Sequence, residues 1–297
     1  SLDTVAGVVY TPTGNAAPDF MESFRAGRDL YTYSVVALDV RAGTLATWYQ
    51  LLPHDYLEGD SAAAPSLVRT RGGQDLVVAA GKDGHVYGTD RASGRRVYAT
   101  VVSTQENLDG PLTGRGARFC PGVNGGVEWN GPSYSPAPNL LYVGPVDWCT
   151  TLATYGADQP HKLKGKQALP WTGSNKLSAP FGVNDSTRRG WLTAVDADDG
   201  SIRWRYASPT PIIAGVTATA GGVVVTGDLS GNVLAFDARD GRELWRYATG
   251  APIGGGVITY AIGDTEYLAV AIGINSPAGW RLESPPARVM VFALRPR

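Results

Sequence analysis

A short acidic segment, Pro53–Asp60 (PHDYLEGD), holds the residues of this sequence that are best suited to chemistry. It places carboxylates at Asp55, Glu58 and Asp60 and an imidazole at His54, between two runs typical of β-strands. Carboxylates this close in sequence can act as general bases and can bind a hard cation through oxygen. A solvated loop has a similar composition. The segment therefore indicates either a surface connection or a site that holds a cation and moves protons.

The composition excludes several functional classes. The 297 residues have a formal net charge of −1 and a pI of about 6.3, so no field for binding nucleic acid is expected. No run of about 18 apolar residues occurs, and no membrane span is expected. The opening SLDTVAGVVY reads as a strand rather than a signal peptide, which predicts a mature or internal start.

The composition also predicts an all-β protein. Thirty-eight glycines and twenty prolines accompany only 18% charged residues, which is typical of a chain with many turns. No segment keeps apolar residues at helical spacing for three clean turns. The two cysteines, Cys120 and Cys149, are compatible with one disulfide in an oxidising compartment or with two buried thiols.

Four segments of the chain share one pattern. Each has a short apolar strand, an aspartate, a glycine four positions later, and a second strand that carries an aromatic residue. The aspartate can accept hydrogen bonds from N–H groups of the turn, and the glycine supplies the positive φ that closes the hairpin. The aromatic residue is predicted to fill the gap between neighbouring sheets. The segments are 37–50, 88–100, 194–208 and 235–249, with Trp48, Tyr98, Trp204 and Trp245 as the aromatic residues.

The spacing of the motif glycines predicts the architecture. Gly43 and Gly94 are 51 positions apart, and Gly200 and Gly241 are 41 positions apart, which matches the four-stranded blades of a β-propeller. The interval between Gly94 and Gly200 leaves room for a further blade and for an irregular insertion at about 101–190. Residues 1–297 are therefore predicted to form a partial β-propeller of about five blades.

A ring of about five blades is predicted to be incomplete. An open propeller exposes unpaired strand edges and an apolar blade face, which promotes aggregation. We therefore expect the missing blades to come from another chain or from the rest of a cleaved polypeptide.

The connections between the repeats resemble those of a known family. The segments VYTPTGNAAPDF, GKDGHVYGTDRASG and FCPGVNGGVEWNGPSYSP follow one another in the order found there. The series is similar to the C-terminal half of the pyrroloquinoline-quinone (PQQ) dependent, or quinoprotein, alcohol dehydrogenases, which are eight-bladed periplasmic propellers. The resemblance implies a PQQ cofactor chelated to a calcium or lanthanide ion, oxidation of a small alcohol or aldehyde, and a cytochrome c electron acceptor.

The resemblance implies roles for individual residues. Glu58 falls at the position of the family's catalytic aspartate, where it would be the base and a metal ligand. Asn15 matches a metal-binding asparagine, and Asp60 matches an additional aspartate of lanthanide-using members. Lys82 matches the cation that contacts the reactive oxygen of the quinone. Apart from the resemblance, Asn15 is equally an ordinary turn residue, Asp60 a solvated loop acid and Lys82 a surface lysine.

Further positions match the family with changes. Cys120 and Cys149 match a family disulfide. Glu128 and Trp129 match a pair that contacts the cofactor, although the family commonly has asparagine where this chain has Glu128. Together with glutamate in place of aspartate at position 58, this change favours an alternative class: a non-catalytic propeller that serves as a structural subunit or binding platform.

The expected function is therefore that of a PQQ-dependent dehydrogenase located in the periplasm or outside the cell, with this chain supplying the C-terminal part of the propeller. Glu58 and Lys82 are its predicted catalytic residues. Lys82, Glu128 and Trp129 are predicted to bind the cofactor, and Asn15, Glu58 and Asp60 to bind the metal. No glycine-rich phosphate-binding loop occurs that would indicate nicotinamide or nucleotide chemistry.

Overall fold

The chain is almost entirely β. The computed structural model describes residues 1–25, 27–155, 172–175, 181–274, 276 and 279–294, and these contain one short 3-10 helix, Glu22–Phe24, among twenty-four strands. The predicted all-β class is confirmed. Within the described residues, no helix has the length and apolar character needed to cross a membrane.

The first two blades are regular four-stranded antiparallel sheets. Their strands pair in chain order, so that hairpins join neighbours. Blade 1 contains β1 (Leu2–Asp3), β2 (Val8–Pro12), β3 (Ser34–Asp39) and β4 (Leu45–Gln50), and blade 2 contains β5 (Ser66–Arg69), β6 (Asp75–Ala80), β7 (His85–Asp90) and β8 (Arg96–Val101).

Blade 3 is less regular, and it includes much of the region predicted as an insertion at about 101–190. The described part of that region holds no separate blade. Its strands are short and lack the Asp–Gly motif, so their membership of blade 3 is not visible in the repeat spacing. Blade 3 contains β10 (Gly126–Val127), β11 (Ser133–Ser135), β12 (Leu140–Val143), β13 (Pro145–Asp147), β16 (Arg189–Asp196) and β17 (Ile202–Ser208), while β9 (Ala117–Phe119), β14 (Thr150–Leu152) and β15 (Val183–Asn184) form a small side sheet.

The last two blades complete the described ring segment. Blade 4 has four strands, whereas blade 5 has three. The described residues thus form five blade sheets, in agreement with the predicted propeller. Blade 4 contains β18 (Thr217–Ala218), β19 (Val223–Gly227), β20 (Asn232–Asp237) and β21 (Glu243–Ala248), and blade 5 contains β22 (Val257–Ile262), β23 (Thr265–Ile272) and β24 (Arg288–Ala293).

The repeated motif forms the turn between the third and fourth strands of blades 1, 2 and 4 and the last hairpin of blade 3. Asp39 Oδ1 accepts hydrogen bonds from the N–H groups of Arg41 and Ala42, both at 2.8 Å. Gly43 follows with φ +67° and Gly241 occupies the same place in blade 4 with φ +73°. The predicted turn chemistry is confirmed.

The aromatic residues of the motif pack between blades as predicted, except in blade 1. Trp204 of blade 3 lies over Phe236 of blade 4, with ring centroids 6.5 Å apart, and donates Nε1–H to Ala238 O at 3.2 Å. The prediction is wrong for Trp48, which is 40% exposed. Tyr49 is buried there instead, and its hydroxyl donates to a backbone oxygen of blade 2.

The reason for the exception is strand parity. Side chains alternate between the two faces of a strand. The inter-blade aromatic residues of blades 2, 3 and 4 follow the motif glycine by four positions, whereas Trp48 follows Gly43 by five. Trp48 therefore lies on the face of blade 1 that points away from blade 2.

Gly241→Ala is expected to destabilise the protein more than Gly43→Ala. Both glycines have left-handed φ, so alanine costs about 1–2 kcal/mol at either position. A Cβ at position 241 would lie 2.5 Å from the Trp204 ring, whereas a Cβ at position 43 would meet nothing within 4 Å. The clash should add about 1–3 kcal/mol, measured by denaturant unfolding. Equal losses would contradict the inter-blade role of Trp204.

Candidate functional site

Loops from blades 1, 2 and 3 meet beside the acidic segment. Asn15 follows β2, the segment itself follows β4, Lys82 lies in the turn between β6 and β7, and Glu128 follows β10. Backbone hydrogen bonds hold these loops in layers: Lys82 N–H donates to Asp60 O at 2.9 Å, and Val127 N–H donates to Gly81 O at 3.0 Å. These bonds fix the acidic segment, the Lys82 turn and the β10 segment to one another independently of their side chains, and the Asn15 loop is joined to them through the carboxylate of Asp60.

The structure brings four of the predicted residues into one cluster. Lys82 Nζ lies 3.7 Å from Glu58 Oε1 and 3.4 Å from Asp60 Oδ2. Asn15 donates its backbone N–H to Asp60 Oδ1 at 2.8 Å and its amide Nδ2–H to Glu58 Oε2 at 3.4 Å. The side chains of Glu58 and Lys82 are only 12% and 10% exposed. A mostly buried ammonium thus lies between two carboxylates.

Burial and charge shift the pKa values of this cluster. Burial, acting against the attraction of Lys82, raises the pKa of Glu58 to about 8, and the carboxylates of Asp19 and Asp60 contribute to the rise. Burial disfavours the charge of Lys82, but Glu128, Glu58 and Asp60 together raise the pKa of its ammonium. Lys82 is therefore held as a cation, while Glu58 binds a proton near neutral pH until another positive charge enters.

Glu128 lies beneath the same cluster. It is 5% exposed, and its Oε1 atom has no hydrogen-bond partner among the described residues. Burial raises the pKa of Glu128 to about 7, with the charge of Lys82 opposing the rise and that of Asp60 adding to it. Trp129 turns toward blade 5: its ring is 44% exposed, and Nε1–H donates to Gly254 O at 3.1 Å.

Asp55 fixes the backbone that carries Glu58. Glu58 has a left-handed φ of +68°, which is unfavourable for a residue with a Cβ. The buried Asp55 carboxylate accepts the N–H groups on either side, from Leu57 at 3.2 Å and from Gly59 at 2.7 Å. A Cβ on Gly59 would lie 2.8 Å from that carboxylate. The acidic segment thus contains two kinds of carboxylate. That of Glu58 belongs to the cluster with Lys82, and that of Asp55 binds the backbone on either side of Glu58.

The sequence reasoning missed a second polar group next to this loop. Asp83 accepts hydrogen bonds from the hydroxyls of Tyr33 and Tyr87, and its Oδ2 lies 3.2 Å from His85 Nδ1. A cavity of about 370 Å³ borders this group and the acidic segment, with Leu57 and Lys82 in its walls. The motif GKDGH contains Asp83 and His85 but resembles a plain turn. Tyr87 follows it on β7, whereas Tyr33 comes from the segment that precedes β3 of blade 1.

The predicted disulfide is present. Cys120 and Cys149 are bonded to each other, and they join the end of β9 to the start of β14. The cross-link therefore ties the side sheet together next to blade 3.

The cluster fits a hard cation. No set of three or more histidine, cysteine, aspartate and glutamate side chains spaced to hold a metal occurs in the described part of the chain. The amide of Asn15 and the carboxylates of Glu58 and Asp60 can nevertheless bind an ion through oxygen atoms, which calcium and lanthanide ions prefer. The orphaned oxygen of Glu128 further indicates a missing partner. For a planar quinone, the exposed ring of Trp129 and the ammonium of Lys82 are suitable contacts.

Comparison with known proteins finds similar chains among the alcohol dehydrogenases. Residues 1–105 match the family described as "Glucose/ethanol/alcohol dehydrogenase, beta-propeller domain". Methanol dehydrogenase [cytochrome c] subunit 1 of Methylobacterium organophilum is 26% identical over 94% of this chain. Quinohemoprotein alcohol dehydrogenase from Comamonas testosteroni superposes on 99% of the chain with a TM-score of 0.82 at 23% identity. This chain is related to the PQQ-dependent alcohol dehydrogenases.

Other comparisons define the extent of this relationship. The putative dehydrogenase XoxF of Paracoccus denitrificans is 27% identical over 94% of the chain, and a europium-containing methanol dehydrogenase shares the fold with a TM-score of 0.80 at 22% identity over 99% of the chain and 58% of its own. The chain spans 47% of the Methylobacterium subunit, 50% of XoxF and 47% of the Comamonas enzyme. Residues 188–270 match a second family, described as "Outer membrane protein assembly factor BamB".

Glu128→Gln is expected to make the stability of the metal-free protein less dependent on pH. The carboxyl of Glu128 ionises at about 4.5 when exposed and at about 7 in the fold. Its contribution to the free energy of unfolding is present below pH 4.5 and is lost as the pH rises to about 7, a loss of about 3 kcal/mol. The variant should lack this loss when denaturant unfolding is measured between pH 4.5 and 8.

Glu243→Gln is the matched control. Glu243 lies on β21, and its ion pair with Arg246 lowers its pKa. Stability linked to Glu243 is therefore lost only as the pH falls through its lowered pKa. This control should keep the wild-type slope between pH 4.5 and 8, and the same slope in Glu128→Gln would contradict the buried position of Glu128.

Proposed function

We propose that this chain supplies the C-terminal part of a PQQ-dependent dehydrogenase that oxidises a small alcohol or aldehyde. The observation that carries the proposal is the buried cluster in which Lys82 lies between Glu58 and Asp60, with Asn15 beside them. The similarity to known proteins supports the same conclusion, because the related proteins are named as methanol and ethanol dehydrogenases.

Each residue of the cluster has a chemical role in this proposal. Glu58 accepts the proton of the alcohol hydroxyl, a task for which it must be ionised. A calcium or lanthanide ion held by Asn15, Glu58 and Asp60 would lower the pKa of Glu58 and so produce the ionised base near neutral pH. Asp55 keeps the Glu58 carboxylate in place through the two backbone N–H groups that it binds.

The cofactor site adjoins this cluster. PQQ, when bound, supplies the two-electron acceptor for the hydride of the alcohol carbon. Lys82 provides positive charge for the reduced form, as electrostatic stabilisation requires. Trp129 offers an exposed aromatic face for stacking, and we include its neighbour Glu128 in the site because it lies buried against the Lys82 loop.

The names of the relatives suggest the electron acceptor, and the disulfide suggests the location. The names of several related proteins include cytochrome c, and we propose a cytochrome c as the electron acceptor of this protein. The disulfide between Cys120 and Cys149 requires an oxidising compartment. We therefore place the protein in the periplasm or outside the cell.

The test uses the complete natural protein with PQQ and either calcium or lanthanum. After gel filtration, the near-ultraviolet absorbance of retained PQQ reports binding, and dye-linked oxidation of primary alcohols reports turnover. Uptake of PQQ with alcohol-dependent dye reduction is the expected result. No uptake with either metal would overturn the proposal.

Glu58→Gln should abolish turnover without preventing folding. A positioned general base contributes about 10²–10⁴-fold to the rate, so a loss of at least about 100-fold in kcat is expected. Glu58→Asp keeps the carboxylate and moves it by about one bond length, roughly 1.5 Å, and should retain more activity than the glutamine variant. Glu243→Gln, on the outer strand of blade 4, is the control. Unchanged kcat in Glu58→Gln would show that another group is the base.

The proposed function needs further blades, and blade 5 offers a face for one of them. The face of blade 5 opposite blade 4 is apolar and is not covered by any described residue, with exposed fractions between 37% for Tyr260 and 67% for Val289. The other face packs against blade 4 through residues such as Val270 and Ile272. We propose that an apolar blade sheet, from another chain or from the rest of a cleaved polypeptide, covers this outer face. Its remaining exposed members are Ile258, Ile262 and Val291.

Val289→Lys should destabilise the complete protein much more than Val5→Lys. A lysine at position 289 would bury an unpaired charge against the covering blade, at a cost of about 2–4 kcal/mol. Val5 is 96% exposed in the turn between β1 and β2, where a lysine remains in water. Thermal unfolding of both variants measures the difference. Equal melting temperatures would show that the outer face of blade 5 is not covered.

A second candidate function is that of a non-catalytic structural subunit or binding platform. The match of residues 188–270 to a family described as an assembly factor favours it, as do the ion pairs that Glu58 and Asp60 form with Lys82 without any metal. A folded complete protein that takes up neither PQQ nor a metal would support this candidate over the dehydrogenase.

A further inference from the structure

A cavity of about 530 Å³ lies where β4, the edge strand of blade 1, meets the β7–β8 hairpin of blade 2. Three arginines line it, Arg28, Arg91 and Arg96, and none of the described residues in its walls is acidic. Arg91 is paired with Asp3 at 2.8 Å. A concave surface lined by charge of one sign attracts ligands of the opposite sign, so this cavity favours an anion.

The charges of Arg28 and Arg96 are available to such a ligand. Neither side chain forms an ion pair with any residue that the structure describes. The guanidinium of Arg96 lies over the Tyr87 ring, with its central carbon 4.3 Å from the ring centroid. The carboxylate of Asp83 attracts Arg96 from the hydroxyl end of that ring, where it accepts the Tyr87 O–H. Arg96 can therefore still pair with an anion in the cavity.

Three buried polar atoms in the walls of this cavity lack a hydrogen-bond partner among the described residues. They are Gln50 Oε1, Thr89 Oγ1 and Arg96 Nε. Thr89 is only 3% exposed. Buried polar groups in folded proteins are nearly always hydrogen-bonded, so three unpaired atoms around one cavity indicate an occupant that pairs with them. Arg96 Nε can only donate, Gln50 Oε1 can only accept, and the Thr89 hydroxyl can do either.

Hydrogen bonds to the backbone hold two of these groups in place. Gln50 Nε2–H donates to Arg28 O at 2.7 Å, which fixes the amide with Oε1 as its unpaired atom. Arg96 Nη2–H donates to Gln50 O at 3.1 Å, which fixes the guanidinium beside the same residue. The site is therefore formed before a ligand enters, which lowers the entropy cost of binding.

We propose that this cavity binds a small organic anion that carries a hydroxyl group, either a hydroxycarboxylate or the phosphate ester of a polyol. Its anionic oxygens accept hydrogen bonds from Arg96 Nε and the Thr89 hydroxyl, and bonds to a guanidinium are strengthened by charge. Its own hydroxyl donates to Gln50 Oε1. The proposal is independent of the proposed function, because no residue of the cluster around Lys82 lines the cavity.

The experiment titrates the complete natural protein with three anions in a calorimeter. Glycerate and glycerol 3-phosphate carry both an anionic group and a hydroxyl, and saturable binding of one or both with a Kd of about 1 mM or tighter is expected. The tighter of the two identifies the anionic group. Propionate has no hydroxyl and leaves Gln50 Oε1 unpaired, so it should bind at least about tenfold more weakly than glycerate.

Thr89→Val should weaken the binding of the tighter anion about tenfold, because it removes one hydrogen bond to a charged group. It should not lower the melting temperature of the ligand-free protein, since the Thr89 hydroxyl has no partner in the described fold. Thr226→Val is the matched control. Thr226 is also a buried threonine with an unpaired Oγ1, but it lies on β19 of blade 4 and outside the cavity. This variant should keep the wild-type affinity.

Arg28→Ala tests the contribution of charge and should weaken binding about two- to fivefold, as expected for an exposed cation. Arg239→Ala, in the exposed turn after β20, should have no effect. Absence of saturable binding for both hydroxylated anions would overturn the proposal. Equal affinities in the wild type and Thr89→Val would also overturn it, as would a melting temperature of ligand-free Thr89→Val well below that of Thr226→Val, since the hydroxyl would then have a partner within the fold.

Discussion

The arrangement of this site depends on one buried ammonium. Lys82 lies between Glu58 and Asp60, with Glu128 close enough to raise its pKa. Charges with so little solvent must be compensated by neighbours, because water cannot stabilise them. The loops of blades 1, 2 and 3 bring these neighbours together at one point, and backbone hydrogen bonds between the loops hold them there.

The blades provide the rigid support for this meeting point. Aspartate–glycine turns set the last hairpin of blades 1 to 4, and aromatic residues such as Trp204 lock one blade onto the next. Among the described residues, nothing packs on the outer face of blade 5. A large exposed apolar face marks an interaction site, and the proposal of a covering blade accounts for both this face and the half-length match with the known dehydrogenases.

Two acids of the site are the positions at which the resemblance implies a different residue. It implies aspartate at position 58 and commonly asparagine at position 128, where this chain has Glu58 and Glu128. Glu58 has a left-handed φ, and hydrogen bonds from the neighbouring backbone N–H groups to Asp55 hold it there, so these bonds fix the position of the Glu58 side chain. The chemistry of the centre thus depends on which positive charges accompany these acids: Lys82 alone, or Lys82 together with a metal ion.

The sequence alone predicted the β-propeller class and the turn motif, because these follow from the short-range spacing of aspartate, glycine and aromatic residues. The resemblance to the PQQ-dependent alcohol dehydrogenases came instead from the segments that connect the repeats. It also indicated the members of the site, since Asn15, Glu58, Asp60 and Lys82 lie in segments that resemble the family. The repeat pattern assigned the wrong aromatic residue to blade 1, since one position in a strand reverses the face.

Only the tertiary structure decided how these residues act on one another. Glu128 is buried, and Asp83 meets Tyr33, through loops and strands of different blades, whose distances no local pattern encodes. Burial and charge–charge distance depend on how the blades pack, and they set the pKa values of the site.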